Sequence, residues 1–377
     1  MQWSARHSPL FLGRGGAIDG QQRQILYLSS GLALRRMAPV VALDGDGPLR
    51  DELTRLDVEV YRSRMSSWRA YMRIFRRYVD ARRLLELTTG REICLVHGHD
   101  VWRAEYARYL AKRLRVPYVV HVRGPVSIRD IQKHRLASAD SIIAIAQRYA
   151  DDLLAAGVGH RRIAVIDDAV DLSLFDPVSA VPATPSDRNV ADGPVIGFVG
   201  RISRSKLVCE FLEMVALLPA YAKARPAVVI VGEWADPAYG RDVRASVSRL
   251  GLERTIRFVG RLPSREMPDF LAAIDVLVTL SGGSIMFEAM AMAKTVLSIR
   301  ADGRHSLHTR HGETAWCLDT TDRAVCAREL AQLVDDEELR RHLGSAARAR
   351  VVRNLSIDTM VTKTADLYDR LAKQGPL

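Results

Sequence analysis

Short apolar runs rich in β-branched residues alternate with longer amphipathic stretches along most of this 377-residue chain. In the first half the runs are Val40 to Leu43, Val58 to Tyr61, Ile93 to His97, Tyr118 to Val122, Ser141 to Ile145 and Ile163 to Ile166. Helical patterns lie between them, among them Gln21 to Leu34, Trp68 to Leu87, Val101 to Arg115 and Gln147 to Ala156. Strands separated by helices pair through crossovers, which gives parallel sheets covered on both faces. The alternation stops at VSAVPATPSDRNVADG, Val178 to Gly193, a stretch of Pro, Ser, Ala and Asp with no periodicity, and restarts at Val195. The pattern predicts an α/β chain of two Rossmann-like, doubly wound domains around a linker at 178–193. The ligand is expected in the cleft between them, at the carboxyl ends of the strands.

Length and composition permit this. A chain of 377 residues suits two domains of ordinary size. Hydrophobic content of 48% with 26% charged residues is that of a globular protein. No apolar run approaches the ~18 residues that span a bilayer. Gly13, Arg14 and Gly15 interrupt what would have to be a signal-peptide core in MQWSARHSPLFLGRGG. Cys94, Cys209, Cys317 and Cys326 are scattered without a CxxC spacing, so the sequence suggests neither a zinc site nor a disulfide framework. The expected setting is cytoplasmic, with reduced thiols.

Two motifs carry the chemistry. In GFVGRISRSK, Gly197 to Lys206, an apolar strand runs into Gly200 and Arg201, with Lys206 five residues later. In GGSIMFEAMA, Gly282 to Ala291, two glycines and Ser284 lead into a helix that carries Glu288. Glycine-rich backbone at a helix start presents N–H groups to phosphate oxygens. Arg201 and Lys206 would complete a diphosphate cradle, and Glu288 suits ribose hydroxyls. Each motif alone is commonplace; together they read as a nucleotide-diphosphate site.

From Ala191 to Ala372 the chain resembles the donor half of glycosyltransferase family 4, retaining sugar transferases of the GT-B fold. The ordered matches are GR with Lys206, AVVIVGEW (Ala227 to Trp234), TIRFVGRLPSREMPDFLAAIDVLVTLS (Thr255 to Ser281), FEAMAMA (Phe287 to Ala293), DDEELRRHLGSAARARVV (Asp335 to Val352) and LYDRLA (Leu367 to Ala372). The first half resembles the family through GRGGAIDGQQRQILYLSSGLALR (Gly13 to Arg35), GPLRDELTRLDVEVY (Gly47 to Tyr61), LVHGHD (Leu95 to Asp100), VPYVVHVRGP (Val116 to Pro125), ADSIIAIA (Ala139 to Ala146) and IAVIDDAVDLSLFDP (Ile163 to Pro177). The resemblance implies an acceptor-side domain over 1–177, a linker at 178–193, a nucleotide-sugar domain over 194–355, and a last helix in 356–377 that packs back on the first domain. It implies donor contacts from Arg201, Lys206, Glu288, Gly282, Gly283, Ser284 and Gly16. Arg123 and His121, side by side on one strand face, would serve the sugar or acceptor as the catalytic candidates.

The chain departs from the family pattern at several points. The family's first glutamate, eight positions before Glu288, falls on Leu280. Its histidine before a glycine falls on Arg123, its asparagine near Asp171 on Asp168, a glycine after the lysine on Leu207, and the glycine of a glycine-x-proline turn on Ala293. With Leu280 unable to bind a hydroxyl, sugar contacts are expected from Gly282, Gly283 and Ser284. The resemblance implies transfer from a nucleotide diphosphate sugar to an acceptor hydroxyl of a polysaccharide, glycolipid or natural-product intermediate. No metal and no cofactor are expected, since cations and N–H groups take the diphosphate charge; Asp44 and Asp46 in DGDG read as a turn. Competing readings are a degenerate nucleotide-sugar-binding protein and a GT-B nucleotide-sugar epimerase, whose ordered motifs the chain lacks.

The net charge of +11 points to an anionic partner. Its densest stretch is 61–83, where Arg62, Arg64, Arg69, Arg73, Arg76, Arg77, Arg82 and Arg83 face one acid, Asp80. Trp68, Met72, Phe75 and Val79 recur there at helical spacing, consistent either with a helix packed inward or with peripheral contact at the inner face of a membrane. No nucleic-acid-binding motif accompanies the charge, so nucleic acid is not an expected partner.

Overall fold

The computed structural model describes residues 8–66, 74–182 and 193–375. Two compact units divide the chain: Met1–Ala169 with Ile357–Leu377, and Val170–Ser356. The first is a seven-stranded sheet of β1 (Ser8–Gly13), β2 (Val40–Leu43), β3 (Glu59–Arg62), β4 (Ile93–Gly98), β5 (Tyr118–Val122), β6 (Ser141–Ala144) and β7 (Ile163–Val165), in the order β3-β2-β1-β4-β5-β6-β7. The second is a six-stranded sheet of β8 (Val195–Val199), β9 (Ala227–Val231), β10 (Ile256–Gly260), β11 (Val276–Thr279), β12 (Thr295–Ile299) and β13 (Trp316–Leu318), in the order β10-β9-β8-β11-β12-β13. Every strand pair is parallel.

The sequence explains the interior strands. VVAL, YVVHV, AVVIV and VLVT are buried at every position, as strands covered on both faces must be, while the edge strand EVYR is exposed at both ends. Several helices start on acidic caps. Asp19 accepts from the N–H groups of Gln21 and Gln22, Asp236 from Ala238 and Tyr239, and Asp322 from Val325. In each unit one apolar cluster covers each face of the sheet; that containing Phe11, Ile25 and Leu95 also takes Met360, Val361, Leu367 and Tyr368 from the last helix, Ile357–Gln374. The helix Gly20–Leu34 packs directly against that last helix.

Residues 170–177, expected with the first domain, belong to the second unit. Phe175 is fully buried in that unit's core, and Arg348 holds Asp176 and the carbonyl of Phe175. Of the linker 178–193, residues 183–192 lie outside the described residues.

The basic stretch 61–83 is described in part. Trp68, Arg69, Met72, Arg73 and the side chain of Phe75 lie outside the described residues. Within the helix Ile74–Leu87, Val79 is not on the inward face: it is 48% exposed, and Asp80, Ala81 and Leu84 are buried instead. Asp80 turns inward because its carboxylate accepts the N–H of Ser66. Among the described residues no helix is long and apolar enough to cross a membrane.

One close approach fixes the second unit. A Cβ on Gly344 would lie 2.0 Å from the carbonyl oxygen of Ala293, so the helix Glu337–Asn354 can lie against the 293–294 turn only without a side chain there. Ala293 itself has φ +56°, a conformation glycine adopts freely and alanine does not. Helix propensity alone favours Gly344→Ala by ~1 kcal/mol. We expect the opposite sign, a destabilisation of about 2–4 kcal/mol from overpacking against rigid backbone. Denaturant unfolding followed by circular dichroism checks it; an unchanged or raised midpoint would show that the turn yields.

Candidate functional site

In a doubly wound sheet, loops leaving two adjacent strands toward opposite faces open a crevice at their carboxyl ends. In the second unit those strands are β8 and β11, and in the first they are β1 and β4. The glycine motifs follow these strands.

In the second unit Gly200 follows β8, its N–H donating to the carbonyl of Val231, and the exposed Arg201 comes next. A single turn, Arg204–Lys206, then reverses the chain through Leu207 at φ +59° into the helix Val208–Leu217. Leucine there bears the strain that the family's usual glycine avoids, about 1 kcal/mol, and it packs against the apolar cluster that includes Phe211 and Leu330. The turn delivers Lys206 to the loop after β11, where its Nζ donates to Ser281 Oγ at 3.2 Å. Burial, and secondarily the charge of Arg201, depress the Lys206 pKa below the ordinary lysine value. Neither Arg201 nor Lys206 pairs with a carboxylate among the described residues.

The loop itself is shaped by Gly282 (φ +69°) and Gly283 (φ +127°). A Cβ on Gly283 would stand 3.9 Å from the Lys206 ammonium. The structure revises the expected sugar contacts here. The Gly282 N–H is already taken by Thr279 Oγ1 at 3.0 Å, which leaves the N–H groups of Gly283 and Ser284 and the Ser284 hydroxyl without an internal partner among the described residues. The helix that follows, Ile285–Ala291, has only seven residues and no side-chain cap, so its dipole adds little, and Arg201 and Lys206 must supply most of the positive potential. Glu288 is buried one turn into it. Leu280 is 7% exposed within the apolar cluster, pointing away from any polar role. Sequence reading missed Ser281 and also Arg300, which follows β12, chelates Asp302, and has Nη1 3.8 Å from where a Gly282 Cβ would be. Its place just beyond a strand's carboxyl end was the available signal.

In the first unit the Gly13–Gly16 loop follows β1, with Gly16 at φ +107°. Asp44, just after β2, accepts the Gly15 N–H at 2.9 Å and pairs with Arg103, so the DGDG segment is a structural turn. A pocket of about 520 Å³ at this end of the sheet is lined by Arg14, Gln21, Asp100, Trp102, Arg103 and Arg123, among others. Arg123 is held on three sides: its Nε donates to the carbonyl of His99 at 3.2 Å, Nη1 pairs with Asp168, and Nη2 lies 3.5 Å from His121 Nδ1. Two departures from the family pattern therefore meet each other, arginine in place of histidine and aspartate in place of asparagine. Burial raises the Asp168 pKa, and the Arg123 charge opposes that rise. Gln24 ties the same segment down through both the N–H and carbonyl of Ala169.

His121 does not line that pocket. It is buried with His97 and His99 on the sheet face covered by the first and last helices; its ring is 5.1 Å from that of His97 and 5.8 Å from that of His99. His97 Nε2 lies 3.1 Å from His121 Nδ1, and His97 Nδ1 lies 2.6 Å from the Tyr368 hydroxyl. Burial drives all three rings toward the neutral form, His97 down to about 3. The sequence reading assigned no metal. The structure brings three possible ligand atoms, one from each of these histidines, within 4.8 Å of one another. A cation there would face the Arg123 guanidinium beside His121, with no carboxylate in the trio to offset it.

Residues 184–350 match the family of glycosyl transferases group 1, and residues 18–174 match glycosyltransferase family 4. The chain is 26% identical over 321 residues to alpha-maltose-1-phosphate synthase of Mycolicibacterium smegmatis, covering 74% of this chain and 79% of that one. It is 26% identical over 314 residues to D-inositol 3-phosphate glycosyltransferase of Corynebacterium efficiens, covering 76% and 73%. Among solved structures it shares the fold of Anabaena HepE in complex with UDP-glucose, with a TM-score of 0.78 at 19% identity over 96% of this chain and 99% of that one.

The Lys206 environment yields a pH prediction. An anion at this site favours the ammonium, so it should bind best while Lys206 is protonated and weaken as pH rises through the depressed Lys206 pKa, below where a free lysine would titrate. Titration calorimetry with pyrophosphate across neutral to alkaline pH checks it. Affinity that stays flat until the ordinary lysine range would place the anion elsewhere.

Proposed function

The chain belongs to glycosyltransferase family 4, and on that premise we propose that it moves a sugar from a nucleotide diphosphate donor to an acceptor hydroxyl, with retention at the anomeric carbon and no metal at the diphosphate. The observation that carries this reading is the Arg201–Lys206 pair, two cations of the loop after β8, the second bonded to Ser281 after β11, with no carboxylate partner among the described residues. Lys206, half-buried beside the charge of the exposed Arg201, bears a desolvation and repulsion cost that a diphosphate relieves. As the bond from the anomeric carbon to the leaving oxygen breaks, positive charge grows on the sugar and negative charge on the phosphate. Arg201, Lys206 and the N–H groups of Gly283 and Ser284 stabilise the latter. The departing phosphate oxygen can take the acceptor proton on the same face, so retention needs no protein nucleophile. Glu288 receives the ribose hydroxyls. The pocket of the first unit, with Arg123 and Trp102, is assigned to the acceptor.

UDP, the nucleotide portion of the donor held by HepE, is the probe we choose. A charge-assisted hydrogen bond is worth about 1.5–3 kcal/mol net, roughly 10- to 150-fold in affinity. Arg201→Ala and Lys206→Ala should weaken UDP by such factors while leaving uridine nearly unaffected; Glu288→Gln should weaken both. UDP release from UDP-glucose should persist in EDTA. Wild-type UDP affinity in all three variants would remove the donor assignment, and activity lost in EDTA and restored by magnesium or manganese would remove metal independence.

A further inference from the structure

The last helix meets the buried histidines of the first sheet through the Tyr368 hydroxyl. Tyr368 is 1% exposed, and its oxygen lies 2.6 Å from His97 Nδ1. His97 Nε2 in turn lies 3.1 Å from His121 Nδ1, and Arg123 Nη2 approaches that same Nδ1 at 3.5 Å. We infer that Tyr368 and His97 are positioning residues, a fixed-polarity hydrogen-bond chain that locks His121 as a donor and so excludes it as the base of the transfer reaction.

The direction of every bond follows from Arg123. A guanidinium only donates, so the His121 nitrogen facing it carries a lone pair and the His121 proton sits on Nε2. His97 Nε2, nearer to that single lone pair than Arg123, must then carry the His97 proton and share the lone pair as its main donor, with Arg123 the weaker one. His97 Nδ1 is then an acceptor, and Tyr368 O–H fills it. Reversing any link would set two lone pairs or two protons against each other in a buried place. Asp168 and the His99 carbonyl hold Arg123 in the position that sets this polarity. His99 stacks on His97 at 4.2 Å and supplies the wall of the chain, its ring nitrogens having no partner among the described residues. With Nδ1 occupied and Nε2 protonated, His121 has no lone pair to offer. Its remaining capacity is one N–H, which suits an oxygen that gathers negative charge.

For the reaction, this inference rests on the proposed function; the proton arrangement itself does not. The test is long-range 1H–15N spectroscopy of the full chain labelled at its 10 histidines, with the signals assigned by His97→Gln and His121→Gln. At neutral pH both rings should be neutral with the proton on Nε2. Tyr368→Phe removes one buried oxygen and should move the His97 signals and, through them, those of His121, while UDP affinity stays within about twofold, a change below ~0.4 kcal/mol. An Nδ1 proton or an imidazolium on either ring would overturn the inference, as would His121 signals indifferent to Tyr368→Phe. Equimolar Zn2+ gives the remaining arm: unchanged spectra are expected, and coordination shifts on all three rings would make the cluster a metal site instead. Absence of UDP binding would end the donor assignment and leave the spectroscopic result standing.

Discussion

The parting of two parallel strands organises each unit. In the first, β1 and β4 are neighbours although the chain turns to opposite faces of the sheet after them; in the second, β8 and β11 do the same. No backbone can close the gap between such loops, so polar side chains collect there without a strand or helix to cover them. Gly200, Arg201, Ser281 and Gly283 owe their placement to the second gap, and Gly16 to the first. The hydrogen bond from Lys206 to Ser281 spans the loops on either side of the second gap and draws the cation inward at the cost of its own hydration.

In the second unit strained backbone occurs at two turns, Leu207 in the loop after β8 and Ala293 just before β12. Leu207 and Ala293 both occupy left-handed backbone where the resembling family carries glycine. Neither is relieved by a local change of course, because Leu207 turns the chain that positions Lys206, and Ala293 presents its carbonyl to the helix carrying Gly344. Surrounding packing over-determines both positions and offsets roughly 1 kcal/mol at each.

In the first unit several buried polar groups form one connected set. Arg123 pairs with Asp168, Asp168 sits in the segment tied by Gln24, and the histidines continue the set to Tyr368. A permanently charged arginine in place of a titratable histidine changes what its neighbours can be. The aspartate balances its charge, and burial keeps the adjacent rings neutral. The pair of departures is therefore one change in chemistry.

Much of this was legible in the sequence. Alternating apolar runs and amphipathic helices dictate parallel sheets because burial and periodicity are local properties of the chain, and the order of the glycine, arginine, lysine and glutamate motifs carried the resemblance to family 4. The sequence could not show that Gly282 spends its N–H on Thr279, that Leu280 turns into the core, that Phe175 draws residues 170–177 into the second unit, or that Val79 faces solvent. Nor could it show that residues 97, 121, 123, 168 and 368 meet. Those facts depend on which groups become neighbours once distant segments pack, and hydrogen-bond partners and shielding from water are set only then. The sequence by itself determined the layers and the chemical types at the strand ends; the tertiary structure decided which of those groups are already satisfied and which remain to meet a ligand.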